Sequence, residues 1–166
     1  VPVIINTKAE NDFKVTPEEL KNAITDRTKM LILPYPCNPT GAIMEREDIE
    51  ALYQVLKDTN IIVLSDEIYA ELTFNGKPHA SPASVEGMWE RTVIVSGFSK
   101  TYSMTGWRLG FALAPAPIIQ IMTKIHQFAI MSAPTTSQYA AIEALKNGDK
   151  DIEAMVEEYD SRRRLI

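Results

Sequence analysis

The sequence predicts an α/β fold in layers: a mainly parallel sheet with one antiparallel strand and helices on both faces. Three observations carry the prediction. Five apolar runs recur, each short enough to be a strand buried on both faces: VPVIINT (1–7), MLILPY (30–35), IIVLSD (61–66), TVIVSG (92–97) and RLGFALA (108–114). Segments between the early runs place apolar residues at helical spacing, which implies parallel pairing through right-handed crossovers. Between the cores of the last two runs only eleven residues intervene, GFSKTYSMTGW, counted from Gly97. They show no helical period, which favours an antiparallel neighbour.

The elements follow in order. TPEELKNAI (16–24) opens as a helix should, with Thr16 as cap, Pro17 in the first turn and Glu19 where a capping box wants a carboxylate. EREDIEALYQVLKD (45–58) spaces Ile49, Leu52, Tyr53 and Leu56 along one helix face. Phe74-Asn75-Gly76-Lys77 reads as a tight turn, because Asn-Gly accepts positive φ at both central positions. Beyond Pro117, the positions Ile118, Ile121, Met122, Ile125 and Phe128 predict another helix. SAPTTSQYAAIEAL (132–145) and DIEAMVEEYDSRRRLI (151–166) predict two more.

Composition narrows the function classes. The chain has 166 residues, 45% of them apolar, enough for one real core. A net charge of −5 argues against nucleic acid and anionic membrane surfaces as main partners. The basic run Arg162 to Arg164 reads as a solvated helix face. A single cysteine, Cys37, excludes an internal disulfide, no apolar run has the form of a signal peptide, and none reaches membrane-spanning length. A reducing, cytoplasmic setting is the expectation. His79 and His126 stand without companions at metal-ligand spacing, so no metal centre is expected. Val1 opens directly into a strand-like run, and the chain stops inside a helical pattern with no terminator. Residues 1–166 are therefore expected to be a partial domain of a longer protein.

In open α/β sheets, ligands bind outside the carboxyl ends of the parallel strands, where loops and helix starts converge. The polar signals of this chain lie there. MLILPYPC runs into Asn38-Pro39-Thr40-Gly41, IIVLSD ends at Asp66 with Tyr69 three residues on, and TVIVSG leads to Ser99 and Lys100. Singly, each has a plain explanation: a turn at 38–41, a helix cap at Asp66, a surface lysine, a strand-edge arginine at Arg108, and packing rings at Tyr102 and Trp107. Together they meet one chemical demand. An amine that forms a Schiff base with an aldehyde cofactor must lose its proton, which a partly desolvated lysine near another cation does; Lys100 with Arg108 fits. A carboxylate such as Asp66 can keep a pyridine nitrogen protonated, making the ring an electron sink. Asn38 and Tyr69 carry donors for a ring oxygen anion, and Arg108 with Ser99 can clamp a phosphate.

Three motifs, NPTG at 38–41, SDEIYAEL at 65–72 and GFSKTYSMTGWRLG at 97–110, resemble in order and spacing the class I/II, fold-type-I aminotransferases that use pyridoxal 5′-phosphate. Gly97, Ser99, Lys100, Ser103, Gly106, Arg108 and Gly110 all match the family pattern. The resemblance implies the large, cofactor-binding domain of such an enzyme. It implies that Lys100 forms the Schiff base and relays the substrate proton. Asp66 would pair with the pyridine nitrogen, Asn38 and Tyr69 with the ring oxygen, and Ser99 and Arg108 with the phosphate. It also implies ping-pong transfer between an amino acid and a 2-keto acid, a homodimeric parent, and a chain that is inactive alone, because the glycine-rich phosphate loop and the substrate-carboxylate arginine of such enzymes lie outside it. Many relatives have serine where this chain has Gly97, so the phosphate hydroxyl is expected from Ser99 or, failing that, Ser96. Cys37, before the NPTG motif, is expected to be a small buried residue. Carbon-sulfur lyases, other fold-type-I enzymes and the cofactor-binding sensor domains of transcription regulators share these residues and remain alternatives.

Overall fold

The computed structural model describes residues 1–166. Helix α1 (Pro17–Ala23) starts as its sequence dictates: the Thr16 hydroxyl accepts from the Glu19 amide, and the Glu19 carboxylate accepts from the Thr16 amide at 2.9 Å. Strand β1 (Met30–Leu33), helix α2 (Arg46–Leu56), strand β2 (Ile62–Asp66) and strand β3 (Thr92–Gly97) follow. A single helical turn, α3 (Phe98–Thr101), leads to strand β4 (Gly110–Leu113) and then to α4 (Ala116–Ala129), α5 (Thr135–Asn147) and α6 (Asp149–Arg163). No helix is long and apolar enough to cross a membrane.

The four strands lie in the order β1-β2-β3-β4. The first three are parallel, and β4 runs antiparallel to β3 with Gly97 opposite Gly110. The short spacing between the last two strands left room for no crossover, and the antiparallel pairing is the result. Helix α2 buries Ile49, Leu52 and Leu56 against Leu31, Leu33 and Val63 of the sheet, with Leu20 of α1 in the same core. A smaller cluster of Phe98, Met104 and Ala141 ties α5 to the segment leading from β3 to β4.

Three sequence expectations need correction. Residues 1–7 form no strand: no backbone hydrogen bond pairs them with another segment, and a strand requires such a partner. Strand β1 is buried on one face only, because Leu31 and Leu33 face α2 whereas Met30 and Ile32 stand on the other face, where nothing covers them. Arg108 lies outside β4 in the left-handed region, at φ 54°, so the strand begins two residues later than its apolar pattern suggested. The 74–77 turn forms as expected, with Asn75 and Gly76 at φ 60° and 68° and the Lys77 amide donating to the Phe74 carbonyl, but its flanks do not pair as strands.

The Gly97–Gly110 pair decides how closely β4 approaches β3. A Cβ at Gly97 would lie 2.9 Å from the Leu109 carbonyl oxygen and 3.0 Å from the Gly110 Cα. Both are backbone atoms that cannot swing aside. Gly97→Val is therefore expected to destabilise the protein by about 1–3 kcal/mol, the usual cost of overpacking, measured as a lowered urea midpoint at unchanged slope.

Candidate functional site

One edge of the sheet collects the carboxyl ends of β1, β2 and β3. Because β4 is antiparallel, its start lies on the same edge. The chain beyond β1 reaches Asn38, β2 ends in Asp66, β3 passes into the turn that carries Lys100, and Arg108 stands just before β4. The residues named from sequence thus arrive from four loops at one edge, as the topological rule for open sheets requires.

Side-chain contacts unite part of this set. The Asn38 amide donates to the Tyr69 phenol oxygen at 3.3 Å. The Lys100 ammonium lies 5.7 Å from the centroid of the Tyr69 ring, within cation–π range. Lys100 and Ser99 are half-buried, as are Asp66 and Tyr69, whereas Asn38 and Arg108 are exposed. One Asp66 oxygen accepts from the Ile68 amide at 3.2 Å, which folds the chain toward Tyr69. The Arg108 guanidinium donates to the Thr105 carbonyl at 2.9 Å, and the Thr105 hydroxyl donates to the Ser99 carbonyl at 3.1 Å. Thr105 therefore ties Arg108 to Ser99; the sequence motif contains it, but no charge or spacing singled it out.

Most charged side chains of the chain, those of the site included, form no ion pair within it. Lys14, Arg46, Lys77 and Arg162 to Arg164 all form ion pairs within the chain. Lys100, Asp66 and Arg108 form none. An amine, a carboxylate, an amide–phenol pair and a guanidinium with a neighbouring hydroxyl converge on one edge with their charges uncommitted to one another. Of the two serines considered for phosphate, Ser96 is engaged, its hydroxyl donating to the Glu67 carbonyl at 3.1 Å. Cys37 is half-buried rather than buried.

Two features went unrecognised in the sequence. Arg163 is not simply part of a solvated helix face: it lies 5.4 Å from the Phe74 ring centroid and donates to Asn75. It lines an open cavity of about 630 Å³ that Asn38, Tyr69 and Lys77 also line, and which none of Lys100, Asp66 and Arg108 reaches. The second is a buried acid, Glu67, with a histidine and a serine against it. Its signal was parity: Glu67 continues the buried alternation Ile61, Val63, Ser65.

Comparison with known proteins identifies the family and the fold. Residues 1–166 match the family model described as aminotransferase class I and II. The aspartate aminotransferase of Pyrococcus abyssi is 44% identical over 167 residues, covering 99% of this chain and 43% of the relative. The crystal structure of an aromatic aminotransferase from Pyrococcus horikoshii superimposes with a TM-score of 0.94 at 44% identity, over 99% of this chain and 44% of that one. An aspartate aminotransferase from Rhizobium meliloti gives a TM-score of 0.95 at 34% identity, over 99% of this chain and 42% of that one. The chain thus spans less than half the length of these relatives.

Proposed function

The chain belongs to the class I and II aminotransferases, and from that premise we propose that it forms the cofactor-holding part of a pyridoxal-phosphate-dependent enzyme that moves an amino group from an amino acid to a 2-keto acid. The observation that carries this is the alignment of Asn38, Tyr69 and Lys100 at one sheet edge, with Asp66 and Arg108 brought there by strand register. The donor set fits the cofactor: each of its polar groups has a complementary side chain here, and the charges that would meet it are not neutralised within the chain.

Bound at this edge, pyridoxal phosphate supplies an aldehyde for an amine and a protonated ring that draws electrons from the substrate α-carbon. Lys100 would offer the amine, and once free its Nζ would take the α-proton of the amino acid and hand it on, acting as base and then as acid. Asp66 would hold the proton on the ring nitrogen. Asn38 and Tyr69, joined by their mutual hydrogen bond, would donate to the ring oxygen. Arg108 and Ser99, linked through Thr105, would hold the phosphate. We take residues 1–166 to be a partial large domain, which the share of its relatives that the chain covers supports, and the whole protein to be cytoplasmic, which the lone cysteine supports; that it is a homodimer rests on the family resemblance alone.

The test is covalent labelling. The whole protein is incubated with pyridoxal phosphate, reduced with borohydride and digested; mass spectrometry is expected to find the label on the peptide containing Lys100. A label on another lysine, or none, would overturn the reading. Release of 2-keto acid without sulfide separates transfer from carbon–sulfur cleavage.

A further inference from the structure

We propose that Glu67, held by His79 and Ser81 on the core face of the sheet, is a positioning residue that fixes the turn from Asp66 to Tyr69; the inference rests on the function proposed above. Asp66 and Glu67 are neighbours in sequence, yet strand alternation sends their carboxylates to opposite faces. Ile61, Val63 and Ser65 are buried on the core face and Glu67 continues that row, only 6% exposed, while Ile62, Leu64 and Asp66 are half-buried on the other. A carboxylate at a core position is costly unless it is paired and hydrogen-bonded.

Both partners come from the stretch that returns from the 74–77 turn. The Ser81 hydroxyl donates to one Glu67 oxygen at 2.6 Å, and His79 Nε2 lies 2.9 Å from the other. That nitrogen is buried, out of line for a hydrogen bond, and has no other polar partner than the Glu67 carboxylate beside it. Burial pushes the Glu67 carboxyl up, but the contacts with His79 and Ser81 outweigh it and hold the group below its ordinary value, ionised at neutral pH.

The main chain of Glu67 is held as firmly. Its amide donates to the Val95 carbonyl at 2.8 Å, extending the ladder between β2 and β3. Its carbonyl accepts from the Ser96 hydroxyl at 3.1 Å and from the Ala70 amide at 3.0 Å. The residue is therefore the joint between the strand that leads to Lys100, the turn that carries Tyr69, and the returning segment at 79–81. Loosening it frees Asp66 on one side and Tyr69 on the other, although Glu67 itself faces away from both.

Glu67→Gln in the whole protein tests this, since it keeps the size and the acceptor for Ser81 but removes the charge. Titration with pyridoxal phosphate, followed by visible absorbance, is expected to give affinity weakened about tenfold or more, the effect of losing one well-placed charged contact. Visible circular dichroism per bound cofactor, which reports its orientation, is expected to fall as well. A purely structural role would lower the melting temperature and leave both readouts unchanged. Affinity within about twofold of wild type with the same visible dichroism overturns the inference. Should Glu67→Gln fail to fold, Ser81→Ala removes one donor and carries the same expectations in direction, with unchanged affinity and dichroism again counting against the proposal. Labelling of the wild type at Lys100 separates the two failures: a labelled wild type with an indifferent Glu67 variant overturns this inference alone, and an unlabelled wild type overturns both.

Discussion

Lys100→Ala is expected to lower the turnover of the whole protein by about 10⁴-fold or more, since one side chain serves both as the attaching amine and as the proton carrier. The structure explains why no neighbour substitutes for it. The amine is half-buried over the Tyr69 ring and forms no ion pair within the chain. The other cation at this edge, Arg108, is engaged by the Thr105 carbonyl, and a guanidinium cannot give up its proton near neutral pH. For the same reason Lys100→Arg is expected to retain the positive charge without restoring activity. Steady-state rates with saturating amino and keto acid, at equal cofactor loading, decide the matter; a Lys100→Ala enzyme within about tenfold of wild type would remove the lysine from the mechanism.

Asp66→Asn carries the next largest effect. The substitution preserves shape and leaves an oxygen to accept from the Ile68 amide, so the turn toward Tyr69 is expected to survive. What is lost is the negative charge. A neutral amide stabilises a protonated ring nitrogen poorly, and removal of a preorganised charge from a reaction centre typically costs about 10²–10³ in kcat. The expected result is a kcat lowered by about that factor with the melting temperature of the apoprotein little changed. A thermal loss as large as that of Gly97→Val, with kcat unaffected, would assign Asp66 to the fold and not to the chemistry.

Legibility in the sequence differed from element to element. Strand β3 emerged at the boundaries its apolar run predicted, 92 to 97, and α1 started at the predicted cap, because capping and β-branched runs are local effects encoded by adjacent residues. The one helical turn at Phe98–Thr101 escaped notice, since four residues are too few to show a period. Residues 1–7 have strand composition but no strand, since pairing requires a neighbour.

By itself the sequence determined the α/β class, the parallel order of the first strands, the antiparallel last strand and the identity of the side chains brought to the sheet edge, because periodicity, turn chemistry and connection length are written in consecutive residues. Only the tertiary structure decided which of those side chains touch, that Thr105 ties Arg108 to Ser99, that Arg163 reaches the Phe74–Asn75 turn, and that Glu67 is buried against His79 and Ser81. Those contacts join residues brought together by the return of a loop or the register of two strands, and register and loop return are settled by packing of the whole chain, not by any short stretch of it.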